Sequence, residues 1–356
     1  MTSPSERSAH IVGLGLIGAS VALALAQAGW RVTGSDLNSE TLKTALSTGL
    51  VDGDLPEPAT RLFVVATPAG DVVDVARSLL ENSADASCIV TDVAGVKTSI
   101  VEKIRDARFI GGHPMAGSEQ RGLAGARADL FKGCTWILTP TSETEPDRYG
   151  QLHGYLREID ANVVAVSPGD HDRLVALASH VPHIVAGALM NEASVAAQQD
   201  AVLLQMAAGG FRDMTRVAAG DPSIWPEVLF ENRAAVTQAL RALEQRLQYL
   251  RQSIESGDRT NLESDLIAAS VARRALPGRA INSSDMSHLR VVLSDEPGQL
   301  ATITKTASEL GVNIFDIEIA HGIEGRSGTL LLAIDREKAG LLTSSITSLG
   351  FSVVAE

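Results

Sequence analysis

Short apolar runs alternate with helical patterns from residue 8 to residue 166. The runs AHIVGLG (9–15), RVTGSD (31–36), RLFVVATP (61–68), CIVTDV (88–93), RFIGGHP (108–114), CTWILTP (134–140) and NVVAV (162–166) are rich in β-branched residues and end at Gly, Pro, Asp or similar breakers. They predict strands. Ala19–Ala28 and Asp71–Leu80 predict helices between them. Strands alternating with helices give an α/β fold, a mainly parallel sheet covered on both faces.

The texture changes after Ser167-Pro168-Gly169. Residues 170–275 hold no convincing strand and are dominated by Ala, Leu, Gln, Glu and Arg, good helix formers. Val236, Leu240, Leu243, Leu247, Leu250 and Ile254 recur at steps of three and four, one apolar stripe on a long helix ending near Gly257. The stripe has two readings, core packing within one chain or a seam between subunits. Residues 277–288 are rich in Gly, Ser and Asn and read as a linker. From Leu289 the order is strand, helix, strand, strand, helix, strand, a βαββαβ unit over 289–356. The predicted organisation is a sheet domain over 1–167, an all-α domain over 168–276, the linker, and a small α/β domain.

Composition narrows the function. Of 356 residues, 45% are hydrophobic and 21% charged, an ordinary globular mix. A formal charge of −13 disfavours a phosphate backbone or an anionic membrane as partner. Two cysteines, both inside apolar runs, cannot build a disulfide framework. Met1–His10 lacks a basic end followed by an apolar core. The apolar helical stretches are interrupted by polar residues, so no membrane span is expected. The expectation is a reduced, cytoplasmic protein.

Gly13-Leu14-Gly15-Leu16-Ile17-Gly18 follows a strand and opens a helix. Glycines there allow a tight turn, close approach of a pyrophosphate, and close packing of helix on strand; the helix N-terminus then meets the phosphates. Asp36 ends the next strand, 18 residues beyond Gly18, where a carboxylate binds both ribose hydroxyls. No Arg or Lys follows it in Leu37-Asn38-Ser39 to hold a 2′-phosphate. A Rossmann-type domain binding NAD rather than NADP is the reading. Thr67-Pro68 and Asp92 end later strands at the same carboxyl edge and are expected to face the cofactor.

At that edge lies GGHPMAGSE (111–119). Its glycines clear space around His113, and a His beside a nicotinamide can take the proton of an alcohol as hydride leaves the carbon. His180 and His183 flank Pro182, but no third ligand at suggestive spacing accompanies them, so no metal is expected.

The blocks GLGLIGAS, VVATP, TDVAGVK and GGHPMAGSE, followed by SHVPHIVAGALMNE and GGFRDMTRVAAGDPSIWPEVLFENR, resemble the prephenate/arogenate dehydrogenases of tyrosine biosynthesis. The resemblance covers roughly residues 8–275. It implies NAD-dependent oxidative decarboxylation of prephenate to 4-hydroxyphenylpyruvate in a homodimer joined through the helical domain. It implies His113 as the catalytic base, His183 at the substrate, and Arg216 as the carboxylate-binding group oriented by Asp213. Glu119 would lie near the pocket mouth beside Arg216, and Trp225 would pack around the site; Ser118, a neighbour in sequence, is a candidate to supply a hydroxyl there. One departure stands out: family members often carry Ser where this chain has Gly95.

The tail DEPGQLATITKTASELGVNIFDIE resembles an ACT domain, a regulatory module that binds small molecules. It implies an effector site at Asp295, Pro297, Gly298, Gln299, Leu300 and Asn313, with tyrosine as the expected effector. Competing readings are the same chemistry on arogenate, a β-hydroxyacid or imine reductase on a similar plan, and a sensor of NAD and amino acids.

Overall fold

The computed structural model describes residues 7–83, 85–117, 120, 122–200, 202–276, 286–294, 296, 298–321 and 327–355. The chain divides into two compact units, Met1–Leu262 and Glu263–Glu356.

The first unit opens with seven strands, β1 (Ser8–Val12), β2 (Arg31–Ser35), β3 (Leu62–Val65), β4 (Ile89–Asp92), β5 (Phe109–Pro114), β6 (Thr135–Thr139) and β7 (Asn162–Ala165). They form one sheet in the order β2-β1-β3-β4-β5-β6-β7. Every pairing is parallel except β5 with β6. Five helices lie among the strands: α1 (Leu16–Gln27), α2 (Ser39–Ser47), α3 (Val72–Asn82), α4 (Thr98–Val101) and α5 (Pro146–Glu158). Successive side chains go to opposite faces of a strand. Leu62, Val64, Ile89 and Ile110 thus join one core cluster, and Phe63, Val65, Val90 and Phe109 join the other. A sheet buried on both faces explains why its strands read as unbroken apolar runs.

Gly112 of β5 shows how tightly the sheet closes. A Cβ there would lie 2.6 Å from the Asp92 carbonyl oxygen and 2.8 Å from Thr91 Oγ1. Only a residue without a side chain lets β5 approach the end of β4 and leaves His113 at the carboxyl edge.

From residue 168 onward the first unit is helical, as the sequence predicts. Ser167 caps α6 (Pro168–Val175) by accepting from the Asp170 N–H, with Pro168 in the first turn. A π-type turn, Ala176–His180, joins α6 to α7 (Val181–Ala197). The short helices α8 (Val202–Gln205), α9 (Gly209–Thr215) and α10 (Trp225–Glu231) precede the long α11 (Arg233–Ser256). Gly257, at φ 69°, ends α11 in the left-handed conformation that favours glycine. Helix α12 spans Arg259–Arg274 and so runs past Leu262, where the first unit ends. Along the α11 stripe, burial fades from Val236 at 5% exposure to Leu247 at 56% and Ile254 at 64%.

One sequence expectation needs correcting. The continuous helical run Pro168–Ala197 contains a stretch of mean hydropathy 1.4 and is long and apolar enough to cross a membrane. Because α6, the π turn and α7 join without a break, the run is longer than its parts suggested. It nevertheless buries His171, Asp172 and His180, and two of these bond to sheet-domain residues described below.

The second unit contains β8 (Met286–Ser294), α13 (Gln299–Glu309), β9 (Ile314–His321), β10 (Ser327–Asp335), α14 (Arg336–Ser348) and β11 (Ser352–Ala355). Its antiparallel sheet has the order β11-β8-β10-β9. Leu289, Val291, Leu330 and Leu332 from the sheet pack with Ile303, Leu342 and Ile346 from the helices. Strand β8 begins at Met286, so three residues read as linker belong to the sheet. Gly298, at φ 94°, precedes α13, Gln299 begins it, and Leu300 and Asn313 are exposed. Asp295 and Pro297 lie outside the described residues.

Gly112→Ala is expected to destabilise the protein by about 1–3 kcal/mol, the usual range for overpacking a closed interior. The midpoint of urea unfolding checks this, and an unchanged midpoint would contradict the close packing.

Candidate active site

Two cavities flank the first turn of α1 at the carboxyl edge of the sheet. The larger, about 550 Å³, is lined by Gly13, Gly15, Ser35, Asp36, Thr67 and Pro68 among others. Gly13 has φ 93°, and a Cβ on it would lie 2.6 Å from the Ala66 carbonyl oxygen. A Cβ on Gly18 would fall 1.9 Å from the Gly13 carbonyl oxygen, so helix and turn meet backbone to backbone. Gly15 is the N-cap of α1 and has open space where a Cβ would be. The N–H groups of that first turn therefore face a cradle suited to an anion.

Asp36 is fixed in this cavity. Its Oδ2 accepts from Leu14 N–H at 2.7 Å and its Oδ1 from Asn38 N–H at 2.8 Å. The Thr67 hydroxyl is buried and has no hydrogen-bond partner among the described residues. A glycine cradle, an anchored carboxylate and an unsatisfied hydroxyl around one cleft fit a dinucleotide with free ribose hydroxyls.

Leu16 begins α1, whereas Ile17 faces the second cavity. Asp92 is fully buried and lines neither cavity. Its Oδ1 accepts from Gly112 N–H at 3.0 Å, and its Oδ2 accepts from Ala94 N–H at 3.0 Å and from the Lys97 ammonium. The residue ties two turns together.

The second cavity, about 210 Å³, is lined by His113, Gly95, Ser179, His180, Trp225 and Val228 together with Ile17 and others. His113 Nδ1 lies 2.9 Å from His171 Nε2, and His171 Nδ1 lies 2.8 Å from Asp172 Oδ1. Asp172 also accepts from Lys97 N–H at 2.8 Å and Thr98 N–H at 2.9 Å. Asn232 donates to the Asp172 carbonyl at 2.8 Å and lies 3.3 Å from His180 Nδ1. A Cβ on Gly95 would sit 3.8 Å from His113 Nε2, so this edge of the ring faces the cavity.

Burial, reinforced by His171, Lys97 and His180, holds the His113 pKa well below the ordinary imidazole value, against the opposing pull of Asp172. The ring is neutral at physiological pH and able to accept a proton. Burial pushes the Asp172 pKa upward, but the His171 ring and the Thr98 and Lys97 donors outweigh it and bring it down to about 2. Burial also lowers the Lys97 pKa, opposed by Asp92 and Asp172.

The chain is similar to known proteins in sequence and in fold. Residues 21–165 match the family model for the prephenate dehydrogenase nucleotide-binding domain, and residues 167–267 match that for the prephenate dehydrogenase dimerization domain. The prephenate dehydrogenase of Bacillus subtilis (strain 168) is 31% identical over 348 residues, covering 92% of this chain and 93% of the relative. The chain belongs to the prephenate dehydrogenase family. Among solved structures, prephenate dehydrogenase from A. aeolicus, in complex with hydroxyphenyl propionate and NAD+, is 28% identical. It superposes with a TM-score of 0.71 over 78% of this chain and 99% of that one. Synechocystis arogenate dehydrogenase is 31% identical, with a TM-score of 0.67 over 75% of this chain and 99% of that one.

Other predicted residues of this family member fall in different places. His183 stacks on Trp225, ring centroids 3.6 Å apart and 13° from parallel, and His180 meets the same indole edge-on. Arg216 opens the 3₁₀ turn Arg216–Ala219, and a Cβ on the following Gly220 would sit 3.9 Å from His183 Cε1. Arg216 and Asp213 are exposed and do not line the His113 cavity. Ser118 and Glu119 lie outside the described residues. The sequence reading missed His171, Asp172, Lys97, Ser179 and Asn232. A buried Lys in TDVAGVK and the His-Asp pair in PGDHDRL were the available signals.

The neutral histidines set an acid limit on stability. Burial lowers His10 and His180 to about 4, and His113 is also lowered. Below pH 6.5 the unfolded chain binds protons at these positions that the folded chain refuses, so stability must fall as pH drops toward 4. Asp172 acts at lower pH, between 3.8 and about 2. The urea midpoint is expected to decline from pH 7.5 to pH 5, less steeply in His10→Gln; a flat midpoint would contradict the burial of these rings.

Proposed function

We propose that this chain is an NAD-dependent prephenate dehydrogenase, with His113 as its general base. The position of His113 carries this: its Nδ1 is engaged inside the protein, while its Nε2 edge faces a cavity beside the dinucleotide cleft. Gly13, Gly15, Asp36 and Thr67 would hold the cofactor, which supplies the hydride acceptor when bound. His113 Nε2 takes the hydroxyl proton of prephenate as hydride leaves the same ring carbon. The ring carboxylate then departs as CO2, its bonding electrons complete the aromatic ring and leave a phenolate oxygen, and that oxygen takes the proton back from His113 to give 4-hydroxyphenylpyruvate. No metal is needed for that loss, because the ring itself receives the electrons.

Trp225 and His183 form one wall near the site, and Arg216 is assigned to a substrate carboxylate through its match to the family motif. A guanidinium suits that task because it binds both oxygens and stays charged. Asp213 is assigned to orienting Arg216. Gly95 offers no hydroxyl beside His113, and Ser179 lines the same cavity. The dimer reading draws support from the fading burial along α11, which leaves Leu247 and Ile254 for a second copy to cover.

The βαββαβ order of the second unit supports reading it as an ACT-like regulatory module with tyrosine as effector. Gly298, Gln299, Leu300 and Asn313 belong to its candidate site, and Asp295 and Pro297 join them by sequence alone.

Purified protein is expected to form NADH from NAD+ and prephenate, faster than from arogenate, and tyrosine is expected to inhibit it. His113→Asn should lower kcat by about 10²–10⁴-fold, the range for a lost general base, with NAD+ affinity retained. Faster turnover of arogenate would move the substrate assignment. Unchanged kcat in His113→Asn would remove the base assignment, and indifference to tyrosine would remove the effector.

A further inference from the structure

Beneath His113 lies a fully buried imidazole, His171, that the reaction above leaves without a task. We propose that His171, held by Asp172, is a positioning residue that fixes the tautomer of His113 and keeps its Nε2 lone pair toward the substrate. This deepens the dehydrogenase reading and rests on it.

The hydrogens can be placed by elimination. Asp172 accepts two backbone N–H groups, one on each oxygen, and Oδ1 also meets His171 Nδ1 at 2.8 Å. An ionised carboxylate has no hydrogen to give, so His171 Nδ1 must donate. A neutral imidazole has one N–H, so His171 Nε2 is bare and can only accept. The 2.9 Å contact with His113 Nδ1 then requires the hydrogen on His113. Nε2 of His113 is left as the acceptor, at the edge that faces Gly95. If His171 were protonated, its Nε2–H would occupy the Nδ1 lone pair, and neutral His113 would present N–H to the substrate instead.

The surroundings keep this order in place. Lys97, with no exposed surface, pairs with Asp92 and lies close enough to Asp172 to favour its ionised form. Asn232 holds the backbone at Asp172. The titratable groups facing His113 are His171, Lys97, His180 and Asp172. After His113 takes the substrate proton it keeps its Nδ1–H on His171, with the Asp172 charge behind.

Protein labelled with nitrogen-15 in its histidines shows which ring nitrogen bears hydrogen. Wild type near pH 7.5 is expected to carry it on Nδ1 in both His113 and His171, and His171→Leu is expected to shift His113 toward the Nε2–H form. His171→Leu should lower kcat by roughly a hundredfold, with KM for prephenate and NAD+ affinity changed much less. His171→Gln, whose carbonyl can accept from His113 Nδ1–H, should recover at least about tenfold of that loss. A hydrogen on Nε2 of wild-type His113 would overturn the proposal even if the enzyme turns over prephenate. Unchanged kcat in His171→Leu, or equal impairment of the Leu and Gln variants with the wild-type tautomer intact, would overturn it as well. The tautomer is read without substrate, so its outcome is separate from whether prephenate is the substrate.

Discussion

The carboxylate of Asp172 is the constraint on which the site depends. It stands near the start of α6, the first helix beyond the sheet domain, and accepts hydrogens from Lys97 N, Thr98 N and His171 Nδ1. Two of those donors belong to the turn after β4, so one side chain fastens the helical segment to the carboxyl edge of the sheet. Burial would ordinarily push such a group toward its neutral form, but three donors hold it ionised. Removing the carboxylate would leave a buried and a half-buried backbone N–H and an imidazole N–H without their acceptor.

Asp92 plays the complementary part within the sheet domain. It receives the Gly112 and Ala94 N–H groups and the Lys97 ammonium, fixing the ends of β4 and β5 against each other. Lys97 sits between the two carboxylates and compensates their charge where no water reaches it. The same ammonium discourages protonation of His113. Strand register, ion pairing and the readiness of one imidazole are therefore parts of a single buried network, with the dinucleotide cradle on the other side of the α1 turn.

Much of the fold was legible because its signals are local. Seven apolar runs became seven strands, the stripe through Val236 and Ile254 became α11, and Gly257 ended it. The cofactor cradle was equally legible, since a glycine turn and Asp36 belong to one βαβ unit. The support beneath His113 was not. His171 meets His113 across 58 positions of sequence, and Asp172 meets Lys97 across 75, a closeness that only the packing of α6 on the sheet produces. The internal role of Asp92 was hidden for the same reason: its strand-end position matches a cofactor contact, but its oxygens also receive three internal donors. The membrane-like apolarity of Pro168–Ala197 likewise emerged only once α6 and α7 proved continuous.

The most direct measurement is the pH dependence of kcat/KM for prephenate at saturating NAD+, because it reports the essential base of the NAD+-loaded enzyme before prephenate binds. A neutral, buried His113 predicts full activity down through pH 6.5, with the acid limb well below that ordinary imidazole value. An acid limb at or above pH 6.5 would contradict a base held neutral by burial and its cationic neighbours.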